Sequence, residues 1–150
     1  LDFRRLSGGL LAQEADRLDA RESDLKTGTK KAPTQKETKD LLFAFKITRF
    51  VKSNAIVLAK GLKTVGVGAG QPSRIDSAIT ALRKAGRRAA GAVMASDGFF
   101  PKPDSILEAK RRGVRAVIQP GGSKQDGAVI ETCDRAGIRM VFTGIRHFTH

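Results

Sequence analysis

The chain has neither tryptophan nor tyrosine, a single cysteine, and no apolar run long enough to cross a bilayer. Each absence removes a class of function. With Cys133 as the only thiol, no internal disulfide and no cysteine-built zinc site is available, and a reducing, cytoplasmic setting is expected. Without 18 consecutive apolar residues a transmembrane helix is excluded, and no membrane partner is expected. The opening residues, Leu1-Asp2-Phe3-Arg4-Arg5, carry no apolar stretch of the signal-peptide kind. They carry no methionine either, so Leu1 is not expected to be the biological start. Base stacking would fall to the 8 phenylalanines alone. Acidic residues are scarce as well: 15 Asp and Glu stand against 28 Lys and Arg, a net charge of +13. Such an excess favours anionic ligands. The cations are scattered along the chain, which argues against nucleic acid as the partner.

What is present fits one domain, or part of a larger one. At 150 residues, 40% of them hydrophobic, a folded chain can remove roughly 70% of its unfolded surface from water. Residues 1–36 read as a mixed segment around Ser7-Gly8-Gly9 followed by a polar arm, 14–36, with no sustained apolar period. Residues 37–150 read as the folded body. Thr34 and Glu37 have capping-box spacing, and Leu41, Leu42, Phe45 and Phe50 follow at near-helical intervals, so a helix to about residue 51 is predicted. Residues 55–60 and 63–67 read as a β-hairpin. A glycine-rich link then leads into a helix over 73–84. Strands over 92–96, 115–119 and 139–143, with helices over 104–112 and 125–136 between them, give βαβαβ. That order implies a parallel core with right-handed crossovers.

In parallel sheets ligands gather beyond the carboxyl ends of the strands. Three loops meet there: Ser96-Asp97-Gly98-Phe99-Phe100-Pro101, Pro120-Gly121-Gly122-Ser123, and the tail from Gly144 to His150. Two adjacent phenylalanines cannot both turn inward easily, so one is a candidate wall for a planar ligand. Asp97 beside them could bind a cation, orient a ligand or cap its loop. Gly66-Val67-Gly68-Ala69-Gly70 departs from both dinucleotide and P-loop spacing and reads as a tight strand-to-helix turn with amides able to meet an anion. Arg74, at the start of the next helix, is placed for a phosphate or carboxylate. Ser123 either caps the following helix or belongs to an anion loop. His147 and His150 lack the further ligands a zinc site needs, and no Gly-x-Ser-x-Gly elbow is present.

Taken in order, Lys52-Ser53-Asn54-Ala55-Ile56-Val57, Gly66 to Arg74 (GVGAGQPSR), Ala95-Ser96-Asp97-Gly98-Phe99-Phe100-Pro101, Gln119-Pro120-Gly121-Gly122-Ser123 and Arg146-His147-Phe148-Thr149-His150 resemble one family. They are similar to the aminoimidazole carboxamide ribonucleotide (AICAR) formyltransferase domain of the bifunctional purine biosynthesis enzymes, which also close the ring to inosine monophosphate (IMP). The resemblance runs from about Phe3 to His150. It implies a cytidine deaminase-like layered α/β domain, without the deaminase zinc signature, and a homodimer with shared active sites. It implies formyl transfer from 10-formyltetrahydrofolate to AICAR in IMP biosynthesis.

The resemblance assigns Asn54, Arg74, Phe99 and Arg146 to AICAR, and Arg74, Pro101, Asp104 and Ser123 to folate. It sets a potassium ion by Asp97. Lys102 and Ser105 depart from the family's usual residues, and the segment 83–92 is short. No Lys-His dipeptide occurs. The family's proton-handling pair and its cyclohydrolase domain fall in the upstream half of the same enzyme, so no residue of this chain is assigned a catalytic role. The other class of function open to a basic α/β module is binding of nucleotides or RNA without chemistry.

Overall fold

Side chains alternate between the two faces of a strand, so a strand buried along its whole length must be covered on both sides. The computed structural model, which describes residues 1–16 and 18–148, is arranged in that way. Its elements run β1 (Asp2–Leu6), β2 (Gly9–Gln13), β3 (Lys26–Thr27), α1 (Gln35–Thr48), β4 (Ile56–Ala59), β5 (Thr64–Gly68) and α2 (Arg74–Ala85), then β6 (Val93–Ser96), α3 (Asp104–Arg111), β7 (Ala116–Gln119), α4 (Asp126–Ala136) and β8 (Arg139–Phe142). Six strands form a mixed sheet in the order β3-β8-β7-β6-β4-β5. β6, β7 and β8 are parallel; β4 is antiparallel to both β6 and β5, and β3 is antiparallel to β8. Among the described residues no helix is long and apolar enough to cross a membrane.

The alternation sorts the core into two layers. Ile56, Leu58, Met94, Val117 and Met140 face α2, α3 and α4 with Leu82, Ile106 and Val129. Their neighbours Val57, Ala59, Val93, Ala95, Ala116, Ile118 and Val141 face α1, with Leu41, Ala44 and Phe45. The result is a three-layer α/β arrangement. α1 begins where its capping box directs: Thr34 Oγ1 accepts from the Glu37 amide at 3.3 Å, and Glu37 Oε2 accepts from the Thr34 amide at 2.8 Å. It ends earlier than the apolar stripe suggested. Phe50 lies past the last turn and is 69% exposed, so it is not part of the buried face.

Two further features depart from the sequence reading. The polar arm contributes an edge strand, β3, whose Lys26 and Thr27 pair with Phe142 and Val141. The arm is also tied to α1, where Asp19 meets Lys46 at 3.3 Å and Arg49 at 3.2 Å. Residues 2–13, read from the sequence as part of a mixed segment, form the hairpin β1–β2, with both strands exposed along their length.

The glycine-rich link has a different cause from the one expected. Gly66 and Gly68 lie inside β5, and a Cβ on them would meet Ala81 O at 2.2 Å and Ser77 O at 2.0 Å. They are there because α2 packs its backbone directly onto β5, not to offer amides to an anion.

Candidate functional site

β4 runs against β6, so the loop leading into β4 lies beside the loop leaving β6: Ile56 pairs with Ser96. This places Ser53 and Asn54 against Ser96, Asp97 and Gly98. α2 starts at the same edge, with Ser73 as its N-cap accepting from the Asp76 amide at 3.2 Å, so Arg74 points into the junction. Arg74 is 8% exposed and Asp97 fully buried, and the two form an ion pair through Arg74 Nη1 and Asp97 Oδ1. The same Nη1 donates to Ser96 Oγ at 2.7 Å, while Nη2 donates to Asn54 Oδ1 at 2.9 Å. Ser53 Oγ donates to the second Asp97 oxygen at 2.6 Å, and Asn54 Nδ2 donates to Gln71 O at 2.9 Å. A buried charge pair persists only when its remaining hydrogen-bonding capacity is met, and here Ser53, Asn54 and Ser96 meet it.

Above this network lies an open cleft of about 430 Å³, lined by Asn54, Pro72, Ser73, Arg74, Gly98, Phe99, Pro101 and Phe148. The two phenylalanines divide as steric reasoning requires. Phe100 is fully buried, its amide donating to Gln119 Oε1 at 2.9 Å, and Phe99 is left half-buried at the cleft. Arg146 comes in from the tail and holds its guanidinium carbon 5.1 Å from the Phe99 ring centre, a cation–π contact. The tail itself is anchored by backbone bonds, Thr143 N–H to Gln119 O, Gly144 N–H to Pro120 O and His147 N–H to Asp97 O.

The expected site residues therefore separate. Asn54, Arg74, Phe99 and Pro101 share one cleft, and Arg146 closes on Phe99. Asp104 and Ser123 do not line it: Asp104 Oδ1 accepts from the Ser105 amide at the start of α3, and Ser123 Oγ accepts from the Gln125 amide. Ser123 is not the cap of α4, whose N-cap is Gln125. The amides of Gly122 and Ser123 already donate to Asp126 Oδ2, at 2.7 and 3.2 Å, so that loop does not present them to an anion. His150 lies outside the described residues.

Sequence reasoning missed the support residues Ser53 and Ser96 and the cleft residue Phe148. Ser53 and Ser96 carry no local signal, because each becomes polar glue only when β4 and β6 are neighbours. A larger cavity, about 520 Å³, opens between Lys30–Lys31 and the end of α4, and none of the expected site residues lines it.

Asp97 is a poor fit for the potassium ion that the resemblance implied. One of its oxygens holds the Arg74 guanidinium and the other the Ser53 hydroxyl. A second cation there would meet the arginine's charge at close range. Among the described residues no group of three or more His, Cys, Asp or Glu is arranged to hold a metal.

Fold and site together define an α/β domain with a polar-floored, partly aromatic cleft at the carboxyl edge of its parallel strands. The chain belongs to the AICARFT/IMPCHase bienzyme family, whose model matches residues 1–84. It is 54% identical over 149 residues to the bifunctional purine biosynthesis protein PurH of Thermoanaerobacter sp. (strain X514), a match that covers 99% of this chain and 29% of that protein. The chain thus spans less than a third of the length of this curated relative. Two structures of Acinetobacter baumannii RibD share 20% identity with it, at TM-scores of 0.48 (form 1) and 0.46 (form 2). They cover 70% and 68% of this chain and 33% and 32% of their own. A likeness of that size fixes neither fold family nor function.

Proposed function

We propose that this chain is the substrate-positioning half of an AICAR formyltransferase domain, acting in purine biosynthesis. The observation that carries the reading is the gathering of Asn54, Arg74, Phe99, Pro101 and Arg146, drawn from four separate motifs, around one cleft. Their chemistry suits a flat, phosphorylated carboxamide. Phe99 offers a ring face, and Arg146 offers a planar, bidentate donor set for carboxamide or phosphate oxygens. The N-terminus of α2, at the cleft floor, favours an anionic group. The positive balance of the chain steers two anionic substrates, AICAR and 10-formyltetrahydrofolate.

In the reaction the 5-amino nitrogen of AICAR attacks the formyl carbon. A C–N bond forms as the bond from that carbon to the folate N10 breaks, and one proton passes from the amine to the leaving nitrogen. Arg74 and Asn54 act here by shaping the floor, because most of their polar atoms are committed to Asp97, Ser96 and Gln71. Phe99, Pro101 and Arg146 meet the ligands. The groups that move the proton belong to the part of the enzyme outside this chain. The fuller reading has residues 37–150 as a cytidine deaminase-like half-domain, 1–36 as a mixed segment and polar arm, Asp104 and Ser123 meeting folate beyond the cleft they do not line, and a cytoplasmic homodimer whose subunits share active sites.

The test is AICAR titrated calorimetrically into the chain. Arg146→Ala and Phe99→Ala should each weaken binding by more than about 1 kcal/mol, a factor of about five. Formyl transfer should then appear only when the chain is mixed with the portion of a full-length relative that it does not cover. Unchanged AICAR affinity in both variants, or none in the parent chain, sinks the proposal.

A further inference from the structure

His147 is 1% exposed and sits between two residues of the site, Arg146 and Phe148, both of which are exposed. Its Nδ1 lies 2.6 Å from Asp16 Oδ2, so a ring N–H donates to a carboxylate from the arm, 131 residues away in sequence. The ring centre stands 4.6 Å from that of Phe45 in α1. Its Nε2 is buried and has no hydrogen bond among the described residues. A leucine would fill such a site without leaving a polar atom unpaired, so packing alone does not account for histidine here. What histidine adds is the donor to Asp16. Asp19, three residues on, ties the same arm to Lys46 and Arg49 of α1.

We infer that His147 is a positioning residue for the cleft and that Asp16 is its anchor; the inference rests on the function proposed above. Because His147 is buried between exposed Arg146 and Phe148, fixing His147 inward holds both neighbours on the outward side. Arg146 then rests on Phe99, and Phe148 comes beside Gly98, where an added Cβ would lie 3.3 Å from Phe148 Cε1. The backbone bond from His147 N–H to Asp97 O joins this anchor to the buried network under the cleft. The arm thereby holds one wall of the site without touching the ligand.

The test reads Arg146 directly. In the ¹⁵N-labelled 150-residue chain, the Arg146 Nε–H resonance should carry a ring-current shift that Phe99→Leu removes. His147→Leu and Asp16→Ala should each move that resonance to its position in Phe99→Leu, and should weaken AICAR binding about tenfold. His147→Asn, whose side-chain amide stands in for Nδ1–H, should keep both the resonance and the affinity. Asp16 is partly exposed, so Asp16→Ala decides the matter if His147→Leu fails to fold.

An unmoved Arg146 resonance in Asp16→Ala overturns the inference, as does AICAR affinity equal to the parent's in a folded His147→Leu. If the parent chain binds no AICAR while its Arg146 resonance still depends on Asp16, the anchor stands and the formyltransferase reading falls.

Discussion

Asp97→Asn isolates the charge at the floor of the cleft, because the amide keeps the carboxylate's size and one acceptor. Asp97 is fully buried and Arg74 nearly so, and among the described residues no other carboxylate is bonded to the guanidinium. Removing one partner of a buried pair typically costs about 3–5 kcal/mol, because the other charge is left uncompensated. The amide oxygen of the substituted side chain can still accept from Arg74, which puts the expected loss near the lower end, about 3 kcal/mol. Ser53 must also turn its hydroxyl to accept from the new amide. For a domain of this size about 3 kcal/mol lowers the melting temperature by roughly 6–12 °C. Urea unfolding should show the loss as a lower midpoint with the slope unchanged. Pairing Asp97→Asn with Arg74→Met removes both charges, so the double variant should be more stable than the sum of the single losses predicts. A loss under about 1 kcal/mol, with strictly additive single variants, would mean that the pair behaves as a solvated surface bridge. The account of the cleft floor would then be wrong.

Two further outcomes test other parts of the fold. Burial, with a smaller contribution from the nearby Asp134 carboxylate, pushes the Cys133 thiol from 9.0 to about 12. The unfolded chain therefore releases this proton first, and stability falls as pH rises above 9. By about pH 10 the loss is about 1.4 kcal/mol, and the difference in slope between parent and Cys133→Ala, measured by urea unfolding across roughly pH 8–10, reads it. A slope equal in both would refute the burial argument. Gly68→Ala drives a Cβ to 2.0 Å from Ser77 O and should cost about 3 kcal/mol or more, because backbone cannot step aside. Gly61→Ala meets nothing within 4 Å and should cost only the left-handed strain at φ 61°, about 1 kcal/mol. Equal losses at the two positions would remove the packing explanation for the strand glycines.

Much of this fold could be read from the sequence because local rules and tertiary burial agree. The Thr34–Glu37 box, the βαβαβ spacing and the hairpin after Asn54 all fall within a residue or two of the observed elements. What stayed hidden depends on neighbours distant in the chain. Lys26 and Thr27 form a strand only because β8 offers an open edge, and nothing in their own two residues shows it. Gly66 and Gly68 look like a ligand loop until α2 is laid across β5. The double phenylalanine was legible since only one ring could be buried, and Phe100 is the one. The sequence placed Arg74 at the start of α2 but not in the buried network under the cleft. Its burial beside Asp97 comes from the way β4 and β6 pair.

That pairing explains why the candidate site lies at this edge of the sheet. A purely parallel sheet gathers only the loops that leave its strands. Here β4 is inserted antiparallel beside β6, so the loop that enters β4 arrives where the loop leaving β6 departs. β5, antiparallel to β4, ends at the same edge and releases α2 there. One reversed strand thus adds Ser53 and Asn54 from one side and Arg74 from the other to Asp97, Phe99 and the tail. Reversing β4 relative to β6 would leave Asp97 buried with no partner of opposite charge. The buried ion pair and the mixed order of the sheet are therefore one feature, and the cleft is built on top of it.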